Sequence, residues 1–258
     1  MHHISFRPIS KAKSAIYASL GSAKMRRRHG LFMAEGEKCV ADTIGHFQLQ
    51  ALIITDNSGY CVPDRINPDK VFVASEAIIG KISTLSNSPS VIAVYQLPEP
   101  EHLCINKALY LLLDGVQDPG NFGTILRLAD WFGIHSVFAS RNCVDIFNPK
   151  TIQASMGAIS RVHVEYTDLA ELISAHPELP VYGLLLQGTD IYKASLKSYG
   201  FIIMGNEGSG ISPQIRSLVT SPLLIPPYPA LRLGTPECSE SLNVAMATAI
   251  TLSEFRRR

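Results

Sequence analysis

Within 258 residues the chain has no apolar run that reaches the length of a membrane span, which takes roughly 18 residues or more. Its opening, MHHISFRPISKAK, holds no apolar core of a secretion signal. There is no Cys-x-x-Cys pair either. The five cysteines, Cys39, Cys61, Cys104, Cys143 and Cys238, are scattered and odd in number. That pattern argues against structural zinc and a disulfide framework, and the expectation is a metal-free protein of the reducing cytoplasm. No internal repeat or low-complexity tract is present. Net charge is only +1, so the balance of charge alone names no partner.

The distribution of charge is more informative. Residues 1–38 carry eight Lys and Arg against two acids, whereas the rest of the chain carries 15 against 20. A basic N-terminal part suggests contact with a polyanion. Its densest segment, Arg26 to His29, reads RRRH and lies just after Lys24. These residues could equally form an ordinary solvated face.

Two prolines and two glutamates in LPEPEHLCIN interrupt the apolar pattern, which sets residues 98–106 apart as a linker between 1–97 and 107–258. Upstream, LFMAEG, QALIIT, KVFVA and SVIAVYQL read as strands among short helices, giving a small α/β domain. Downstream, ALYLLLD, HSVFA, RVHVEY, PVYGLLLQ, FIIMG and SPLLIP are continuous apolar runs separated by helical stretches. Such runs suit a parallel sheet covered on both faces. Ligands of such sheets collect beyond the carboxyl ends of the strands. The loops after Asp114, Gln187, Gly205 and Pro226 are therefore the candidate sites.

Three of these loops carry polar residues worth weighing. In LLLDGVQDPGNFGTILRLADWFG, Asn121 is a suitable helix N-cap. Phe122, Ile125, Leu126, Ala129 and Phe132 share one helical face, and Arg127 points away from it. In FIIMGNEGSGIS the spacing of Gly205, Gly210 and Ser212 approaches a phosphate loop, but Ile211 stands where the phosphate-binding lysine belongs. Glu207 would repel phosphates, and the G-x-G-x-x-G order of dinucleotide folds is missing. A ligand with an adenosine and a cationic centre but no phosphate suits this loop better. In LLIPPYPALRLGTPECSESLNVAMATAI, a strand ends at Ile225 and Ser239 to Asn243 open a helix, with Ser239 or Ser241 as a plain cap.

Taken in order, N-F-G-x-x-x-R, G-N-E-G-x-G-I-S and I-P…S-L-N-V-A-x-A resemble the three motifs of the SpoU/TrmH family of RNA ribose 2′-O-methyltransferases. The resemblance covers residues 107–258. FMAEGEKCVADTI after a basic segment is similar to that family's N-terminal substrate-binding domain. The resemblance implies an α/β catalytic domain with a parallel sheet and a deep trefoil knot, preceded by a smaller α/β domain at 1–97 that binds RNA, here through Lys24, Arg26, Arg27 and Arg28. It implies S-adenosylmethionine as cofactor, contacted by Gly205, Ile225 and Leu242. Asn121, Arg127, Glu207, Ser241 and Asn243 match the family's polar active-site positions. A homodimer joined through the catalytic domain is implied too. One departure is the long segment PPYPALRLGTPECSE between Ile225 and Ser241, where Arg232 is a further candidate for phosphate contact.

The implied chemistry is attack of a ribose 2′-hydroxyl on the methyl carbon of the sulfonium donor, in structured RNA, ribosomal or transfer. Arg127 would act either as a base or as a charged group that stabilises the forming alkoxide. Methylation of a base in place of the ribose, or a degenerate module that only binds RNA, are the alternatives.

Overall fold

A computed structural model describes residues 6–56, 59–100, 102–236, 239 and 241–257. It divides into two compact units, Met1–Glu99 with Asp145–Ser160, and Pro100–Val144 with Arg161–Arg258. Residues 145–160, grouped by the sequence with the second domain, thus fold with the first.

In the first unit the chain runs through β1 (Arg7–Pro8), α1 (Lys11–Ala18), α2 (Ala23–His29), β2 (Leu31–Glu35), α3 (Glu37–Thr43), β3 (Leu49–Thr55), β4 (Val71–Ala74), α4 (Glu76–Ile82) and β5 (Val91–Gln96). The sheet order is β1-β4-β3-β5-β2. It is parallel between β1, β4 and β3, and antiparallel where β5 joins β3 and β2. Burial of Val91 through Tyr95 on both faces explains why VIAVY reads as an unbroken apolar run.

The basic tetrapeptide RRRH lies in α2, which stops at Gly30 in the left-handed conformation (φ 63°) that glycine adopts without strain. Arg26 is turned inward and is only 2% exposed. Its guanidinium donates to Asp145 Oδ2 at 2.6 Å and to the carbonyls of Leu20 and Gly21 at 2.9 and 3.0 Å. Beside it Phe147 packs on Phe32, with ring centroids 4.6 Å apart. These contacts hold residues 145–160 in the first unit. Arg26 is therefore withdrawn from the expected RNA-binding set, because its donors are taken up by the protein itself. Lys24, Arg27 and Arg28 are not buried in this way.

The two kinds of arginine should separate experimentally. Arg26→Ala leaves Asp145 without its cation and should cost about 2–3 kcal/mol in denaturant unfolding, somewhat below the range for breaking a fully buried pair because Asp145 is partly solvated. Replacing Arg27 and Arg28 together should cost under about 0.5 kcal/mol. That double variant should instead flatten the salt dependence of RNA binding by about one to two in slope. Equal destabilisation by both variants would contradict the assignment.

The second unit comprises β6 (Leu109–Asp114), α5 (Pro119–Trp131), β7 (Ser136–Ala139), β8 (His163–Tyr166), α7 (Leu169–Ala175), β9 (Val181–Asp190), β10 (Gly200–Gly205), α8 (Pro213–Arg216), β11 (Ser221–Leu224) and α9 (Val244–Arg257). Between β7 and β8 the chain visits the first unit, where it forms α6 (Pro149–Ser155). The six strands are all parallel, in the order β11-β9-β10-β6-β7-β8, as the apolar runs require. On one side of β6 the strands follow in chain order outwards through β7 and β8. On the other side β10 is inserted between β6 and β9. The reversal of strand order at β6 and β10 opens a crevice beyond their carboxyl ends, which is where parallel sheets bind ligands. Asp114 ends β6 and Gly205 ends β10, side by side in register.

Helix α5 buries Phe122, Ile125, Leu126 and Ala129 completely and leaves Arg127 exposed, as the helical wheel demands. It packs against α9, whose Arg256 donates to the carbonyls of Phe132 and Gly133 at the end of α5. That contact satisfies carbonyls that a helix terminus leaves free, and puts positive charge at the negative end of the helix dipole. Among the described residues no helix is long and apolar enough to cross a membrane.

Candidate active site

Three loops converge on one chain of hydrogen bonds. The first begins after β6. Asp118 caps α5 by accepting the Asn121 N–H at 2.7 Å, with Pro119 at the first helical position. The cap is thus Asp118, three residues before the residue the sequence suggests, and the Asn121 side chain is left available for other partners. Its Nδ2 donates to Glu207 Oε1 at 3.0 Å. Its Oδ1 accepts from Asn243 Nδ2 at 2.9 Å. Asn243 Oδ1 in turn accepts the N–H groups of Ala245 and Met246, at 2.9 and 3.3 Å. Asn243 is therefore the N-cap of α9, which starts at Val244, later than the sequence places it. The serines expected as caps lie before it, and Glu240 falls outside the described residues.

The polarity of this chain follows from its ends. A carboxylate only accepts, so Glu207 fixes the amide of Asn121 with nitrogen toward it. The oxygen of Asn121 must then face Asn243, whose own oxygen is left to accept the α9 amides. Each link orients the next. Asn121, Glu207 and Asn243 are brought together in this way. Arg127 lies on α5 about 9 Å along the axis from Asn121, from the rise of a helix, and its exposed side chain makes no hydrogen bond or ion pair among the described residues. Ser241 and Leu242 are exposed just ahead of α9 and stand outside the chain of bonds.

The glycine loop after β10 is a tight turn. Asn206 and Gly210 exchange backbone bonds at 2.9 and 3.0 Å. Asn206 Oδ1 accepts from the amides of Gly208 and Ser209, while its Nδ2 donates to Gly115 O at 2.8 Å. A Cβ on Gly205 would lie 2.4 Å from Gly210 C and Ile211 N. Glycine is therefore required there by the loop's own return. At Gly188 a Cβ would lie 2.4 Å from Leu223 C, so β9 and β11 also approach without a side chain between them.

The crevice also contains groups that sequence reasoning left unassigned. A cleft of about 220 Å³ is lined by Asp114, Gly115, Gln117, Asn142, Asn206, Ser209, Gly210 and Ser212. Asp114 is buried, and its Oδ2 accepts the Ser212 N–H at 2.7 Å. Asp114 stands at the end of a strand, where a parallel sheet binds ligands, and Asn206 lies within the glycine loop. Next to Asn142, burial pushes the Cys143 thiol above its ordinary range. It stays protonated at neutral pH and is no nucleophile. Among the described residues no group of three or more His, Cys, Asp or Glu is placed to hold a metal ion.

Residues 108–253 match the SpoU rRNA Methylase family. The chain belongs to that family. The 23S rRNA (guanosine(2553)-2′-O)-methyltransferase RlmP of Bacillus subtilis is 28% identical over 243 residues, which cover 93% of this chain and 94% of the relative. The structure of a TrmH-family protein from Porphyromonas gingivalis superposes with a TM-score of 0.83 at 36% identity, over 96% of this chain and 98% of that one. An AdoMet-bound rRNA methyltransferase from Sinorhizobium meliloti gives 0.79 at 25% identity, over 97% and 96%. This SpoU-family chain is thus an RNA methyltransferase whose cofactor is S-adenosylmethionine, and its fold is the one these knotted enzymes share.

The residues present fit that cofactor. At the end of β10, Gly205 lets the glycine loop fold back on itself with no side chain between, and within β9 Gly188 does the same against Leu223 of β11. No lysine or arginine stands between Gly205 and Ser212 to call for a phosphate. Glu207 adds a negative charge that favours a cationic sulfonium.

Proposed function

We propose that the chain transfers the methyl group of S-adenosylmethionine to a ribose 2′-hydroxyl of ribosomal RNA, acting in the cytoplasm as a homodimer. The observation that carries the ribose assignment is the Asn121–Glu207–Asn243 chain of hydrogen bonds, which unites the residues of all three motifs in one site. The Bacillus subtilis relative is a 2′-O-methyltransferase of 23S rRNA, which supports the same substrate class.

When bound, the cofactor supplies a methyl group already activated on a sulfonium, so the protein's task is alignment and charge. Gly205, Ile225 and Leu242 would hold the donor, mostly through backbone groups. Asn121, fixed by its two neighbours, and Ser241 would position the ribose. The ribose oxygen would form its new C–O bond as the methyl–sulfur bond of the donor breaks and S-adenosylhomocysteine leaves, with the hydroxyl proton passing to solvent. Arg127 would stabilise the negative charge growing on that oxygen, since arginine stays charged at ordinary pH. Its exposed guanidinium is uncommitted within the described chain and is therefore open to an RNA phosphate or ribose. The cations Lys24, Arg27 and Arg28 would supply RNA affinity from the first unit. For the dimer, the support is exposed apolar surface on the second unit: Trp131 at the end of α5 is 82% exposed, Met246 in α9 54% and Leu242 50%. The family's deep knot would lie within the segment from β10 to α9.

The test is methyl transfer from labelled S-adenosylmethionine to undermodified ribosomal RNA, followed by alkaline hydrolysis. A 2′-O-methyl group blocks cleavage at its own linkage, so the label should be recovered in an alkali-resistant dinucleotide. Label recovered in single nucleotides would mean base methylation. Donor binding without transfer to any RNA would point to a degenerate binding module. Sedimentation of the same preparation should give twice the chain mass.

A further inference from the structure

We infer that residues 226–236, between β11 and α9, form an RNA-stacking element in which Tyr228 receives an unpaired base of the substrate. That base belongs to a nucleotide flanking the one methylated. The inference rests on the reading of the chain as an RNA methyltransferase and adds a contact that the three motifs do not contain.

The segment reads PPYPALRLGTP and belongs to the long stretch between Ile225 and Ser241 that departs from the family's motif. Pro226 and Pro227 are half-buried, and the next five residues, Tyr228 to Arg232, are all exposed. Tyr228 is 93% exposed and Leu231 92%. Neither side chain adds to the core, so packing within the chain does not account for them.

The exposed ring is held out on a stiff support. Pro226, Pro227 and Pro229 fix φ on both sides of Tyr228. Ala230–Arg232 form a short 3₁₀ turn, in which the Arg232 N–H donates to Pro229 O at 3.0 Å. Thr235 donates its N–H and its hydroxyl to Arg232 O, at 3.0 and 2.9 Å. A loop so constrained has little conformational freedom left to lose on binding, which favours affinity at a small contact.

Both ends of the segment are tied to the rim of the active site. Upstream, Leu224 ends β11 opposite Asp190, and its carbonyl accepts the Ile191 N–H at 2.9 Å. Because the sheet is parallel, this end lies on the same edge as Asp114 and Gly205. In the sheet β11 is two strands from β10, a separation of about 10 Å at the usual spacing. Tyr228 follows Leu224 by four residues, at most about 14 Å of extended chain. Downstream the chain returns to Asn243, which donates to Asn121. The ring is thus confined to the neighbourhood of the site, within reach of the strand whose ribose is methylated.

The chemistry favours RNA over a second copy of the chain. The only charge in the segment is the positive one of Arg232, so nothing there repels phosphates. Single-stranded RNA is held by bases that stack on aromatic faces, and one ring serves one base. A protein partner would need more, since two apolar side chains fall far short of the roughly 1,200 Å² that a stable interface buries. A tyrosine also suits a stack beside water, because its ring face is covered while its hydroxyl stays solvated.

The test measures the affinity of the full chain for undermodified ribosomal RNA by filter binding over a range of salt, together with methyl transfer. Tyr228→Ala should weaken RNA binding about tenfold, within the range for loss of one base–aromatic stack. The slope of log affinity against log salt should stay that of the parent, because no phosphate contact is removed. The half-saturating RNA concentration for transfer should rise by the same factor, with the maximal rate changing far less, as for a contact made equally before and during reaction. Tyr228→Phe and Tyr228→Trp should bind like the parent. Tyr228→Leu should bind like the alanine variant, since apolar bulk without a π face does not stack. At 93% exposure truncation opens no cavity, so each variant should fold. Parent-like RNA affinity in Tyr228→Ala would overturn the stack. Full retention by Tyr228→Leu would mean an ordinary apolar contact, and a fall in sedimenting mass would mean that the loop joins protomers; either result overturns it. The stack is read from RNA affinity and the proposed reaction from where the label is recovered, so each can fail without the other.

Discussion

Asn121→Asp should lower single-turnover methyl transfer about a hundredfold. The substitution is nearly isosteric, yet it removes the side-chain donor that faces Glu207. Two carboxylates would then meet where Nδ2 and Oε1 are 3.0 Å apart. Loss of a hydrogen bond to a charged group costs about 1.5–3 kcal/mol, and like-charge repulsion adds to it. A factor of a hundred corresponds to about 2.7 kcal/mol. Far-ultraviolet circular dichroism should stay unchanged, since Asp118 and Asn243 still cap α5 and α9.

The double variant Asn121→Asp with Glu207→Gln makes the test specific. The new carboxamide can donate to the new carboxylate, whose other oxygen still accepts from Asn243. The chain of bonds re-forms with one link reversed in chemical type, and transfer should recover at least about tenfold over Asn121→Asp alone. Such a recovery is a coupling energy between two touching residues, which independent roles would not produce. A double variant no better than the worse single one would mean that Glu207 acts by its charge and not by holding Asn121.

What could be read from the sequence, and what could not, follows from the kind of information each feature needs. The parallel sheet was legible because strands such as Leu109–Asp114 and Gly200–Gly205 are buried on both faces, and burial on both faces writes itself as an unbroken apolar run. The partners in the active-site chain were legible only through the resemblance, since no spacing rule brings residues 121, 207 and 243 together. Caps were ambiguous because Asp118 and Asn121 are both suitable. Pro119 was the overlooked arbiter, as proline favours the first helical position and so marks the residue before it as the cap. The burial of Arg26 is not legible for a different reason. A count of charges does not say which way a side chain points, and the partner that turns it inward, Asp145, is 119 residues away. The same long-range contact draws residues 145–160 into the first unit, and no shift in composition at either end of that segment announces it.

Arg127 provides the second large effect. It lies on the exposed face of α5, opposite Phe122, Ile125, Leu126 and Ala129, so truncation opens no cavity. Arg127→Ala should therefore leave the unfolding free energy within about 0.5 kcal/mol of the parent. Single-turnover transfer should nevertheless fall about a hundredfold or more, the scale on which one electrostatic donor acts on developing charge. Affinity for S-adenosylmethionine and the sedimenting mass should be unchanged, which separates the chemical step from donor binding and assembly. Arg127→Lys distinguishes how the charge is used. If a point charge near the oxygen suffices, lysine should restore at least about a tenth of the activity. If the planar guanidinium must hold a phosphate and the ribose oxygen together, lysine should do little better than alanine. Near-normal transfer by Arg127→Ala would reduce the residue to solvated surface, and the alkoxide would then need another source of positive charge.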